Sequence, residues 1–135
     1  DNVITGAAQM PHAWKPGTLV KPHLHLRFPT PTAANTRWSF EYDIANVNGD
    51  FANASGVYTA LATITVPNAN NANRYAVANF GDLAMTGYIH SATILWKISR
   101  LAGSDALDTD DAIDCLLVEF DIHYQVWRPG TVGEF

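Results

Sequence analysis

Cys115-Leu116-Leu117-Val118-Glu119-Phe120-Asp121-Ile122-His123-Tyr124-Gln125-Val126 is the stretch that decides the fold class. From Leu116 onward every second residue is apolar: Leu116, Val118, Phe120, Ile122, Tyr124 and Val126. The residues between them, Leu117, Glu119, Asp121, His123 and Gln125, are mostly polar. Side chains two apart share one face of a β-strand, so this reads as a half-buried strand with a dry and a wet face. The same period recurs upstream. In Leu19–Phe28, Leu24, Leu26 and Phe28 alternate with His23, His25 and Arg27. Thr36–Ile44 places Trp38, Phe40 and Tyr42 together. Tyr58–Val66 is rich in Thr and β-branched residues, as strands prefer. Ser91–Ser99 alternates Ala92, Ile94, Trp96 and Ile98 with Thr93, Leu95 and Lys97. Weaker strands are expected near Asn2 and over Arg74–Phe80.

Turn-rich stretches separate these segments: Pro29–Asn35, Asn46–Gly56, Pro67–Asn73 and Gly103–Asp111. No sustained helical period is present. Seven or eight strands without crossover helices predict an all-β antiparallel β-sandwich, jelly-roll type ahead of immunoglobulin-like, and the Cys-Trp-Cys spacing of an immunoglobulin domain is missing. No repeat or shift of composition divides the chain, so 1–135 is expected to be one domain. It begins at Asp1 rather than Met, so it is expected to be a fragment or the ordered part of a longer chain.

Of the 135 residues 47% are hydrophobic, enough for a packed core, and only 16% are charged, against about a quarter in an average soluble domain. A surface poor in charge suits a domain that buries part of itself against copies or neighbours. The net charge is −5 and the eight Lys and Arg are scattered, so no nucleic-acid partner is expected. No apolar run reaches the roughly 20 residues of a membrane span, so no membrane insertion is expected. A single cysteine, Cys115, excludes an internal disulfide and reads as a buried, inert thiol.

Two patterns bear on chemistry. His23-Leu24-His25 projects two imidazoles from one strand face. Two ligands fall short of the three or four that zinc takes, although three copies around an axis would offer six. His23 and His25 are therefore the metal candidates, against the default of an ordinary polar face, and no cofactor is expected. His123 lies two residues from Asp121 and four from Glu119, and a carboxylate beside an imidazole can orient the ring for metal binding or base catalysis, or form a structural ion pair. A cupin-like metal site would draw on His23, His25, Glu41 and His90. No nucleophile motif, phosphate loop or His-Glu-x-x-His is present, so no catalytic residue is assigned. Acidic residues between Asp105 and Asp114 invite a calcium reading from Asp108 to Glu119. Ile113 stands where a calcium loop needs Gly, so a solvated acidic turn is expected instead. Trp38 and Trp96 fit core faces. Trp14 and Trp127 are the surface aromatics that could stack on a sugar ring.

Four segments together carry a resemblance: Gln9-Met10-Pro11-His12-Ala13-Trp14-Lys15-Pro16-Gly17-Thr18, Lys21-Pro22-His23-Leu24-His25, Trp38-Ser39-Phe40-Glu41-Tyr42 and Phe120-Asp121-Ile122-His123-Tyr124-Gln125. From about Gln9 to Phe135 the chain resembles a family of small virion structural proteins encoded by tailed bacteriophages. Those proteins carry Pro-His-Ser/Ala-Trp-Lys-x-Gly-Thr, His-Pro-His-x-His-Trp and Asp-Phe-His-Tyr-like stretches. This chain has Leu26 where the family tends to have Trp, and Lys21 where it often has His. The resemblance implies a virion location and a homotrimer that meets other virion proteins. The first expectation is thus a non-enzymatic structural component of the virion surface: a capsid decoration, head fibre or tail-tip domain. The alternatives are a carbohydrate or receptor-binding module of a tail fibre or spike, with a host-surface glycan as partner, and a cupin-like metal-dependent enzyme.

Overall fold

A computed structural model describes residues 2–31, 33–52, 58–68, 73–102, 105–109 and 115–127. Seven strands follow in chain order: β1 Asn2–Gln9, β2 Val20–Phe28, β3 Asn35–Ala45, β4 Thr59–Pro67, β5 Arg74–Asn79, β6 Thr93–Arg100 and β7 Leu116–Tyr124. They form two antiparallel sheets, β1-β6-β3-β4 and β5-β2-β7, packed face to face as an all-β sandwich. Successive strands change sheet at every step but the β3–β4 hairpin. The β4 and β5 edges adjoin on one side.

The inward residues of both sheets fill two clusters. Leu24, Leu26 and Phe28 of β2 meet Trp38 and Phe40 of β3, Ile98 of β6 and Phe80 in the first. At its centre Phe40 lies 5.2 Å from Phe80 and 5.6 Å from Phe120, ring centre to ring centre, within the range at which aromatic pairs attract. Met10, Trp14, Val20, Ile44, Leu83, Met85 and Ile94 make the second cluster. Cys115 is half-buried against the first and is less enclosed than its apolar neighbours in sequence suggest. Gly6 of β1 faces Trp96 so closely that a Cβ there would lie 2.3 Å from the indole, which accounts for a glycine inside a strand.

β2 keeps its expected alternation throughout: Leu24, Leu26 and Phe28 are buried, and His23, His25 and Arg27 face outward. β7 does not. Glu119 pairs with His25 and Leu117 with Leu26, so Val118 is an extra residue, a β-bulge. One extra residue reverses which side chains face inward. Below the bulge Cys115 and Leu117 therefore pack on the core, and above it Phe120 and Ile122 do. Leu116 and Val118, expected inside, are exposed. Tyr124 and Val126 are exposed as well, Tyr124 where an open cleft between β1 and β7 is lined by Trp96 and Phe120.

Candidate functional site

β2 and β7 are neighbours, and their register sets His23 opposite Asp121 and Lys21 opposite His123. The two sequence patterns, His23-Leu24-His25 and Asp121-Ile122-His123, therefore lie side by side on the outer face of the three-stranded sheet. Leu24 and Ile122 point into the core, which fixes their flanking residues outward.

Asp121 is the hub. His123 Nε2 is 3.1 Å from Asp121 Oδ2, His25 Nε2 is 3.4 Å from Oδ1, and His23 Nδ1 is 3.7 Å from Oδ1. The His23 and His123 rings stand 4.5 Å apart between centres. His25 Nδ1 is hydrogen-bonded to the Tyr75 hydroxyl of β5. Among the described residues His23 Nδ1, His25 Nε2 and Asp121 Oδ1 are buried atoms that make no hydrogen bond. Burial lowers the His23 pKa from its ordinary value, and the neighbouring His123 lowers it further, against the opposing pull of Asp121. The neutral ring is thereby favoured, since desolvation disfavours a cation. Ligand atoms of His23, Asp121 and His123 all lie within 4.8 Å of one another, close enough that they could hold a metal ion.

The cupin-like set does not come together. Glu41 pairs with Lys97 at 2.6 Å on the other sheet, and His90 lies beside His12 and Trp14. What sequence spacing could not supply was the pairing of β2 with β7, which joins a His pair to an Asp-His pair.

The two surface aromatics separate. Trp127 is exposed, with the Lys15 ammonium 5.7 Å from its ring centre. Trp14 is fully buried, which corrects its assignment as a sugar-stacking residue. The Pro11–Thr18 loop turns back so that the indole enters the second core cluster, and its N–H donates to Thr18 Oγ1 at 3.1 Å. Gly17 takes the left-handed conformation that closes this turn. The Lys15 N–H donates to the Gln125 carbonyl and the Trp127 N–H to that of Ala13, tying the loop to the end of β7. A tryptophan followed by Lys-Pro-Gly-Thr is thus a plug for the core, and the turn residues were the signal for it.

The acidic turn is not solvated at Asp108. That carboxylate is buried, 3.3 Å from the Arg100 guanidinium, and accepts from the Arg37 backbone N–H at 2.9 Å. Arg37 also pairs with Asp105 at 3.0 Å. The Leu107 N–H bond, and then Arg37, hold the Asp105 carboxyl below the usual range. Both acids are held by arginines of the four-stranded sheet. The residues 110–114 of that stretch lie outside the described residues.

No protein-family model matches this chain, and neither a curated protein nor a solved structure matches it.

Proposed function

We propose that this chain is a structural, non-catalytic β-sandwich that works by association, and, more particularly, that it is a surface component of a tailed-phage virion: a capsid decoration, head fibre or tail-tip domain. The association is with copies of itself, as a homotrimer, and with other virion proteins. One observation carries the reading. The outer side of the β5-β2-β7 sheet presents Tyr75 (60% exposed), Val77 (48%), Leu116 (45%) and Val118 (57%), in neighbouring rows on either side of His25 and Arg27. Scattered apolar residues are ordinary on a surface, but a grouped set of them marks a contact face. The bulge in β7 is what turns two of the four outward. The low charged fraction and the resemblance to phage virion proteins both support this occupant.

The test is sedimentation of the chain alongside a Val77→Asp/Val118→Asp double variant. The wild type is expected to sediment as three chains of 14.7 kDa each. Each buried valine contributes about 1.5–3 kcal/mol, so two carboxylates in that contact should weaken association by more than ~100-fold. A wild-type monomer at high concentration, or a trimer indifferent to both substitutions, removes the proposed face. Absence of the chain from purified particles removes the virion assignment.

A further inference from the structure

We infer that His23, Asp121 and His123 bind one divalent transition-metal ion of the zinc class per chain, with His25 as the residue that orients the Asp121 carboxylate. This rests on the geometry within a single chain and does not depend on the trimer.

Three features converge. The donors are of the right kind: imidazole nitrogens and a carboxylate oxygen are the ordinary ligands of zinc and its neighbours. They are also spaced for it. Metal–ligand bonds of about 2.0–2.2 Å around a tetrahedral ion put neighbouring ligand atoms about 3.3–3.6 Å apart. His123 Nε2 and Asp121 Oδ2 are hydrogen-bonded at 3.1 Å, and His23 Nδ1 and Asp121 Oδ1 are 3.7 Å apart, so the two pairs fall just either side of that spacing. The second distance is too long for a hydrogen bond. The third feature is that His23 Nδ1 and Asp121 Oδ1 are buried yet make no hydrogen bond among the described residues. An unmatched buried acceptor is costly, and an ion shared by both would satisfy them together.

The strands supply rigidity. His23 and Asp121 are held opposite one another by the β2–β7 ladder, and Leu24 and Ile122 anchor the adjoining positions in the core. His25 sits one row further along. Its Nδ1 is hydrogen-bonded to the Tyr75 hydroxyl, which fixes the ring, and its Nε2 lies 3.4 Å from Asp121 Oδ1. A partner of that kind holds a ligating carboxylate in place, and its loss typically costs ~10–100-fold in affinity. Three protein ligands leave one position of the ion open.

The charges on this face are Lys21, which pairs with Asp82 at 3.4 Å, together with Arg27 and Glu119 on neighbouring rows. Arg27 is engaged by Asn73. One carboxylate in the site leaves a bound divalent ion with net positive charge, which an anionic or neutral oxygen ligand would complete.

Equilibrium dialysis of the untagged chain against zinc, with elemental measurement, tests the inference, and cobalt substitution reports the coordination through its visible absorption. We expect one zinc per chain and a cobalt spectrum of four-coordinate character. His123→Ala and Asp121→Asn should each weaken zinc by more than ~100-fold, and His25→Ala by the smaller outer-partner factor of ~10–100. His123 is exposed and Asp121→Asn keeps its shape, so both variants should retain the wild-type far-ultraviolet dichroism. Zinc should raise the melting temperature of the wild type and not of His123→Ala. Failure of the wild type to retain zinc, retention unchanged in both variants, or one ion per three chains would each overturn the site.

Discussion

Replacing Asp108 with alanine is expected to remove about 3–5 kcal/mol of stability, the usual cost of breaking a buried ion pair from one side. The carboxylate is fully enclosed and the Arg100 guanidinium nearly so. Its Oδ1 faces Arg100 and its Oδ2 accepts the Arg37 backbone N–H. Alanine would leave a buried guanidinium without that counter-charge and a β3 N–H without that acceptor. Domains of this kind are stable by roughly 5–15 kcal/mol, so the loss is about a fifth of the total or more. Asp108→Asn should fall between, because an amide oxygen can still accept from Arg37. Urea denaturation of the three proteins measures this. A loss under about 1 kcal/mol for Asp108→Ala would return Asp108 to the solvated turn that its acidic neighbourhood suggests.

That residue marks where sequence reading stops. Asp105 and Asp108 stand in a polar, charged stretch, and nothing local distinguishes a solvated acid from a clamped one. The burial comes from Arg37 at the start of β3 and Arg100 at the end of β6, which the sheet brings to one end of the sandwich. Alternation was readable wherever the two parities differ in chemistry. In β2 the leucines oppose histidines, so only one face can be dry. In β7 Leu116, Leu117 and Val118 are all apolar, so the alternation that places Leu116 and Val118 inside has no polar residue to check it there, and the bulge reverses it. The chemistry of the candidate site divides in the same way. Each half, His23 with His25 and Asp121 with His123, was visible as a pair on one strand face. Their union depends on non-local pairing of strands far apart in the chain, which no spacing rule encodes. The cupin-like set, by contrast, is split because β2 and β3 belong to different layers and His90 lies in the connection between β5 and β6.

Trp14→Ala is expected to cost about 3–5 kcal/mol, the range for truncating a fully buried large aromatic. For a chain of this length that corresponds to a fall in melting temperature of about 10–20 °C. The indole fills the second core cluster between Met10, Val20, Ile44 and Leu83, so its removal opens a cavity that neighbouring side chains on two sheets cannot readily close. It also deletes the N–H bond to Thr18 that holds the Pro11–Thr18 loop in its turn. Trp14→Phe should cost less, since a ring remains while that bond is lost. Trp127→Ala, at an exposed position, should shift stability by only about 0.5 kcal/mol. The contrast separates two roles that the sequence leaves equivalent. A tryptophan that stacks on a sugar can be removed with loss of binding and little loss of stability, whereas one that plugs a core does the reverse. Calorimetry of the three variants therefore decides what the Pro-His-Ala-Trp-Lys-Pro-Gly-Thr segment is for. If Trp14→Ala melts within a few degrees of the wild type, the loop is not part of the core's closure, and its turn geometry serves something on the surface.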